Sequence, residues 1–284
     1  MLDTEGSPPQ VEHYRCSGGK APRTSFHLGM CLSIHDFILS SDANASAKGR
    51  PFDLALDVGC GSGQGSTLLA KHFASVVATD ISPAQIEMAV AHASMPNVTY
   101  KLSTAEELPL ATGSVDLVTA MSAFHWFDRP RFLQEADRVL KPHGCLALLN
   151  YTLDMELSHE GFPSDTLNAI CEEFYAALRP HFSPHLRTTS KPLYKESYEA
   201  IPYPHKEWHD ERVRRTVPLS GFIAMVETFS NYRALLKKDP KTARRLSSIT
   251  THKLMTAMKV TSPETEVVVN LKYFYVLACK PAED

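Results

Sequence analysis

The run Asp57-Val-Gly59-Cys-Gly61-Ser-Gly63-Gln-Gly65 carries four glycines at alternate positions, between an apolar run and a helical pattern. Glycine lacks the Cβ that bars sharp turns and close ligand approach, so a loop of this kind can cradle a cofactor against its backbone. The dinucleotide fingerprint G-x-G-x-x-G, started at Gly59 or Gly61, finds Gln64 or Ser66 where its third glycine belongs. The loop therefore suits a ligand without a pyrophosphate. Asp57 is available near a cationic group, and Gly59, Gly61 and Gly63 make room for an amino-acid tail. Asp80 lies 17 residues after Gly63, at the end of the next apolar run, where it can accept hydrogen bonds from ribose hydroxyls.

A second group follows the fourth apolar run. His125 and Trp126 stand where open α/β sheets form ligand crevices beyond the carboxyl ends of their strands. His125 serves as a base if a bound molecule must lose a proton, and otherwise positions it; packing under the following helix is the competing role for both residues. Two spaced histidine pairs, His181 with His185 and His205 with His209, suggest a metal. Pro180, Pro184 and Pro204 interrupt the helices that would align them, and no acidic or cysteine ligand has matching spacing, so no metal site is expected.

These residues need a scaffold of alternating elements. Residues 54–58, 76–79, 98–102, 115–120 and 145–150 read as short, nearly all-apolar strands, the pattern of a sheet covered on both faces. Helices are expected at 66–73, at 84–92 with Ser82, Pro83 and Gln85 as N-cap, first-turn proline and capping-box partner, and at 130–140 with Asp128 as cap. Repeated β-α-β units of this kind give a doubly wound, mostly parallel α/β sheet. Residues 40–51 form a small, polar linker after an N-terminal helical arm, which sets boundaries of 1–51 for arm and linker and 52–151 for the core. Residues 152–284 continue the same domain, with a helix around 164–178, a strand near 205–217, a helical insertion or lid at 219–258 and a last strand at 266–279. Phe222, Met225, Phe229 and Tyr232 recur at spacings of three and four, the face of a closing helix or of a core-packed one.

Composition narrows the partners. Hydrophobic residues at 43% support a large core, and 29 Lys plus Arg against 32 Asp plus Glu give a formal net charge of −3, the wrong sign for general nucleic-acid binding. Lys237, Lys238, Lys241, Arg244 and Arg245 against Asp239 make one basic run, read as a solvated helix face that could attract an anion or RNA. Residues 1–10 lack the basic-then-apolar pattern of a signal peptide, and no stretch approaches the roughly 18 apolar residues of a membrane span. The six cysteines have no C-x-x-C spacing, which predicts reduced thiols in a cytoplasmic protein. The expected partner is a small molecule, with no stable nucleic acid, no membrane, and a monomer or weak dimer.

The glycine run and Asp80 resemble motif I and the acidic ribose residue of class I S-adenosylmethionine-dependent methyltransferases. Ser103-Thr-Ala-Glu-Glu-Leu-Pro109 resembles the segment lining the adenine, Gly113-Ser-Val-Asp-Leu-Val118 the fourth strand, and Val139-Leu-Lys-Pro-His-Gly144 the turn into the fifth. Met121-Ser-Ala-Phe-His-Trp-Phe-Asp128, with Ser230-Asn-Tyr-Arg233, is similar to the small-molecule branch that includes trans-aconitate methyltransferases (methyltransferase type 11). The resemblance implies a seven-stranded sheet and S-adenosyl-L-methionine as cofactor. It places Asp57, Gly59, Gly61, Gly63, Gln64, Asp80, Ile81, Thr104, Ala105, Glu106 and Met121 against that cofactor, His125 at the reacting atoms, and Trp126, Tyr232 and Arg233 against the acceptor. The implied activity is methyl transfer to a small organic molecule such as a carboxylic acid. An RNA or protein methyltransferase using the 237–245 face, or a non-catalytic cofactor-binding protein, stays open beside it.

Overall fold

The computed structural model describes residues 52–152, 155–182 and 190–282. The expected N-terminal arm and linker (1–51), Cys16, Cys31 and His185 lie outside these residues. Eight strands form one sheet: β1 (Phe52–Val58), β2 (Phe73–Asp80), β3 (Val98–Leu102), β4 (Val115–Met121), β5 (Leu140–Tyr151), β6 (Glu156–Ser158), β7 (His205–Pro218) and β8 (Glu266–Cys279). The order is β3-β2-β1-β4-β5-β8-β6, with β7 along the other edge of β8. Strands β1 to β5 are mutually parallel, and β8 runs antiparallel to β5, β6 and β7. The mostly parallel, doubly wound expectation holds. The seven-stranded expectation gains an eighth, since three-residue β6 extends the β5 edge along the first half of β8.

Strand residues alternate between two cores, as both-sided burial requires. Ala55, Leu117, Tyr273, Tyr275 and Leu277 join one cluster; Leu56, Val118, Phe274, Val276 and Ala278 join the other. The first cluster is closed by α1 (Gln64–Leu69), α4 (Ser164–Leu178), α6 (Leu219–Val226), α7 (Ser230–Lys238) and α8 (Pro240–Met258), through Leu69, Phe174, Phe222, Tyr232 and Leu254. The second is closed by α3 (Arg129–Val139) and α5 (Ser190–Ala200), through Phe132, Ala136 and Tyr194. Helix α2 (Pro83–Ala91) buries only Ala89.

Three local expectations are corrected. The capping box at α2 does not form: Ser82 is the N-cap but its hydroxyl makes no cap bond, and the Ser82 amide instead donates to Asp80 Oδ1 at 2.9 Å. The Asp80 carboxylate, two residues upstream, thus takes the donor that the Gln85 side chain would accept in a capping box. Asp128 does cap α3, accepting from the Arg131 amide at 3.4 Å. The thiol expectation also changes, because register places Cys145 of β5 opposite Cys279 of β8 and the two form a disulfide. Residues 134 positions apart meet across a sheet, and spacing along the chain carries no sign of it. Finally, the apolar face of Phe222, Met225, Phe229 and Tyr232 is split between two helices, with Phe229 as the N-cap of α7. Helix α5 (Ser190–Ala200) was not anticipated.

Candidate active site

The strand order reverses between β1 and β4, the switch point at which parallel sheets open a ligand crevice. The glycine loop leaves β1 on one side of it and the Ser122–Trp126 segment leaves β4 on the other. Gly63 is the N-cap of α1 at φ 83°, a left-handed conformation that favours glycine, and its amide donates back to Cys60 O. Gly61 differs from its neighbours in its surroundings. An added Cβ there meets only Gln85 Oε1 at 4.0 Å, whereas at Gly59 it would press on Ala123 at 2.5 Å and at Gly65 on Met121 Sδ at 2.6 Å. Gly59 and Gly65 are small because protein packs against them; Gly61 opens onto free space.

Asp80 ends β2 beside that opening. Its Oδ2 accepts from the Gly61 amide at 2.9 Å while Oδ1 accepts from Ser82, which fixes the carboxylate and leaves lone pairs on both oxygens for further donors. The apolar side chains of Ile81 and Leu102, at 48% and 59% exposure, flank it from the ends of β2 and β3. In the next loop Ala105 is buried and Thr104 half-buried. Glu106 Oε1 accepts from the Asp128 amide at 2.8 Å, so this carboxylate ties the β3 loop to the start of α3. Gln64 is exposed and faces Ser62.

Asp57 is 1% exposed beneath the loop. Ser66 Oγ donates to its Oδ2 at 2.6 Å and Thr119 Oγ1 to its Oδ1 at 3.1 Å, yet burial outweighs both and pushes its pKa up to about 6. A cationic ligand nearby would favour the charged form. Ser66 and Thr119 were not singled out from sequence, although a threonine inside the apolar β4 run was a readable signal.

The β4 side of the crevice is built by a strained turn. Ser122, with φ 58°, follows β4 directly and donates its amide to Leu149 O of β5 at 2.8 Å, locking the two strand ends together. A 3₁₀ turn, Phe124–Trp126, comes next. Phe124 is buried against Phe132 and Tyr194, which leaves His125 half-buried and Trp126 48% exposed, ring centroids 5.3 Å apart. Burial lowers the His125 pKa to about 4, so the ring is neutral. Asn150, missed from sequence, lies at the end of β5 with Nδ2 3.2 Å from His125 Nδ1.

Tyr232 is placed elsewhere. It is 2% exposed, and its hydroxyl faces Glu227 Oε1 and Ala243 O while accepting from Ser247 Oγ at 2.9 Å. The expected acceptor contact at Tyr232 is thereby replaced by a packing role inside α7 and α8, because every polar direction of the hydroxyl is filled by the helices themselves. Arg233 is half-buried on the first turn of α7. Lys237, Lys238, Lys241, Arg244 and Arg245 are all exposed. His205 and His209 share one face of β7, His209 stacking on Tyr275, and no group of three or more metal-type side chains occurs among the described residues.

A parallel sheet with a glycine loop at its switch point and an acidic residue ending the next strand is the arrangement of α/β folds that bind nucleotide-containing cofactors. Residues 56–148 match the family Methyltransf_11, a methyltransferase domain. The chain belongs to the class I S-adenosylmethionine-dependent methyltransferases. It is 30% identical over 236 residues to a Dictyostelium discoideum protein described as a methyltransferase, covering 80% of this chain and 82% of that one. It is 41% identical over 114 residues to the malonyl-[acyl-carrier protein] O-methyltransferase of Hahella chejuensis, a match over 38% of this chain and only 40% of that protein. The structure of a type II methyltransferase from Anaeromyxobacter dehalogenans superposes with a TM-score of 0.68 at 25% identity, covering 94% of this chain and all of that one. Among the described residues, no helix is long and apolar enough to cross a membrane.

Proposed function

We propose that the chain binds S-adenosylmethionine between the β1 and β2 loops and transfers its methyl group to a small organic acceptor, a carboxylic acid in the preferred case. The observation that carries this reading is the open space over Gly61 beside a carboxylate whose geometry the Gly61 amide fixes. The residues fit such a ligand. Gly61 would admit the amino-acid part, Asp80 the ribose hydroxyls, Ile81, Leu102 and Thr104 the adenine, and Asp57 would offset positive charge. The bound ligand supplies an electrophilic methyl on a sulfonium. The protein's own task is to hold the acceptor atom in line behind it and exclude water. A carboxylate is already ionised at pH 7 and needs no base, which suits a neutral, poorly basic His125. Trp126 and Arg233 are the acceptor contacts in this reading, and the O-methyltransferase name of the partly matching Hahella relative is consistent with it.

Calorimetry with S-adenosylhomocysteine tests the cofactor part. Binding by the wild type, lost in a folded Gly61→Val variant, supports the site; a folded wild type that binds nothing overturns it. Because a cationic ligand favours ionised Asp57, affinity for S-adenosylmethionine should fall as pH drops below about 6, by up to about tenfold per pH unit. Asp57→Asn should flatten that dependence. Labelled-methyl turnover with a panel of small carboxylic acids and their alcohol counterparts tests the acceptor class.

A further inference from the structure

The Asn150 amide has one orientation that satisfies its neighbours. The Tyr151 backbone N–H can only donate, and it donates to the Asn150 side chain at 2.9 Å, so the atom facing it is Oδ1. The other end, Nδ2, must then face His125 Nδ1 at 3.2 Å. An NH₂ group can only donate, so Nδ1 accepts and carries no proton. In a neutral imidazole the proton is then on Nε2. The arrangement is rigidly supported. Asn150 is 4% exposed at the end of a central strand, and the neighbouring Leu149 carbonyl accepts from the Ser122 amide at 2.8 Å and from the buried Tyr194 hydroxyl at 3.4 Å. Among the described residues no protein group hydrogen-bonds to Nε2, and the His125 ring is the half-buried member of a turn at the crevice.

We propose that Asn150 is a positioning residue that locks His125 as the Nε2–H tautomer, so that His125 meets the methyl acceptor as a hydrogen-bond donor and the acceptor presents an anionic oxygen of the carboxylate type. This rests on the methyltransferase reading above and narrows its substrate. In the step, one carboxylate oxygen forms the new O–C bond, the C–S bond breaks, and its electron pair passes to sulfur. His125 keeps its Nε2 proton throughout and no proton changes hands. A hydroxyl acceptor would instead require a bare Nε2, which this tautomer does not offer. The ring is kept neutral by burial alone, with no charged side chain contributing, so the donor persists across neutral pH.

The test is side-chain ¹⁵N correlation spectroscopy of the full chain, with the His125 signal identified by its loss in His125→Gln. The wild type should show an unprotonated Nδ1 and a protonated Nε2 from pH 6 to 9. Asn150→Asp, which puts an acceptor opposite Nδ1, should move the proton to Nδ1 or charge the ring, and Asn150→Ala should leave a tautomer mixture. A wild-type Nδ1–H form, or a wild-type pattern unchanged in Asn150→Asp and Asn150→Ala, overturns the proposal. With the panel of acids and alcohols, wild-type turnover should be confined to acids and flat from pH 6 to 9. Asn150→Asp should lower it about tenfold or more while S-adenosylhomocysteine binding stays within twofold. Methylation of alcohols alone, with a rise in rate governed by His125, overturns the substrate class. The spectroscopic result does not depend on turnover, so loss of the methyltransferase reading would show separately as failed calorimetry.

Discussion

The two sides of the crevice are built by different rules. On the side of β1 and β2, the candidate groups are set by strand ends and loop amides: Asp80 is gripped by two backbone N–H groups, and Asp57, buried beneath the loop, by hydroxyls from α1 and β4. On the side of β4 and β5, a single side chain, Asn150, orients His125, and the helices once expected as a lid have spent their aromatic residues on the core. Under the proposed function, the cofactor would be held by backbone geometry within one short segment. The acceptor, under the same proposal, would be met by side chains that distant strands bring together.

The sharpest way to break this contrast is to damage the first side alone. Gly61→Val puts a branched residue at φ 55° into the only open glycine position of the loop, and Asp80→Ala removes acceptors for loop and ribose together. Each should weaken S-adenosylhomocysteine by about 10³-fold, roughly 4 kcal/mol, by calorimetry. Affinity within tenfold of wild type, in folded variants, would falsify the assignment of the cofactor to this side.

Next in size is the seam where the parallel strands meet the antiparallel extension. The Cys145–Cys279 disulfide links β5 to β8 over a separation of 134 residues, and native disulfides typically contribute about 2–4 kcal/mol, with long loops toward the upper end. Denaturation of Cys145→Ala/Cys279→Ala, or of reduced wild type, should show that loss with unchanged cofactor affinity. A smaller effect separates lid from core. Tyr232→Phe strips the acceptor from buried Ser247 and should cost about 1 kcal/mol of stability, leaving turnover within twofold. A fall in turnover without loss of stability would return Tyr232 to the acceptor site.

The same contrast explains what was legible in the sequence. The β-α-β core and the loop from Asp57 to Gly65 could be read because their signals are local: apolar runs, turn residues and alternating glycines. The helix Ser164–Leu178 and strand Glu266–Cys279 were equally plain from periodicity. Asn150 was hidden because its meaning depends on where β5 ends relative to β4. The disulfide depends on the β5–β8 register, and Tyr232 on Ser247 and Ala243 of the next helix. At Ser82, a correct N-cap position was given the wrong partner, since the chain bend that brings Asp80 to its amide is a property of the β2 exit. The N-terminal arm lies outside the described residues, so its boundary at 51 stays an expectation.

The smallest net effect in the wild type lies in the pH dependence of stability, where the two sides oppose each other. Asp57 is raised from 3.8 to about 6 by burial, so between those values the folded state holds more protons than the unfolded one. Its contribution is full below pH 3.8 and is lost as pH rises through about 6, a change of about 3 kcal/mol. His125 is lowered from 6.5 to about 4, so over nearly the same window the unfolded state holds more protons and stability grows as pH rises. The two slopes should largely cancel in the wild type between pH 4 and 6. Single substitutions should unmask them: relative to wild type, Asp57→Asn gains stability as pH rises across the window, and His125→Gln gains it as pH falls. Denaturant unfolding at half-unit steps from pH 4 to 6.5 checks both signs. Parallel curves for wild type and both variants would mean that neither group is desolvated in the folded protein, and the electrostatic difference between the two sides of the crevice would be lost with it.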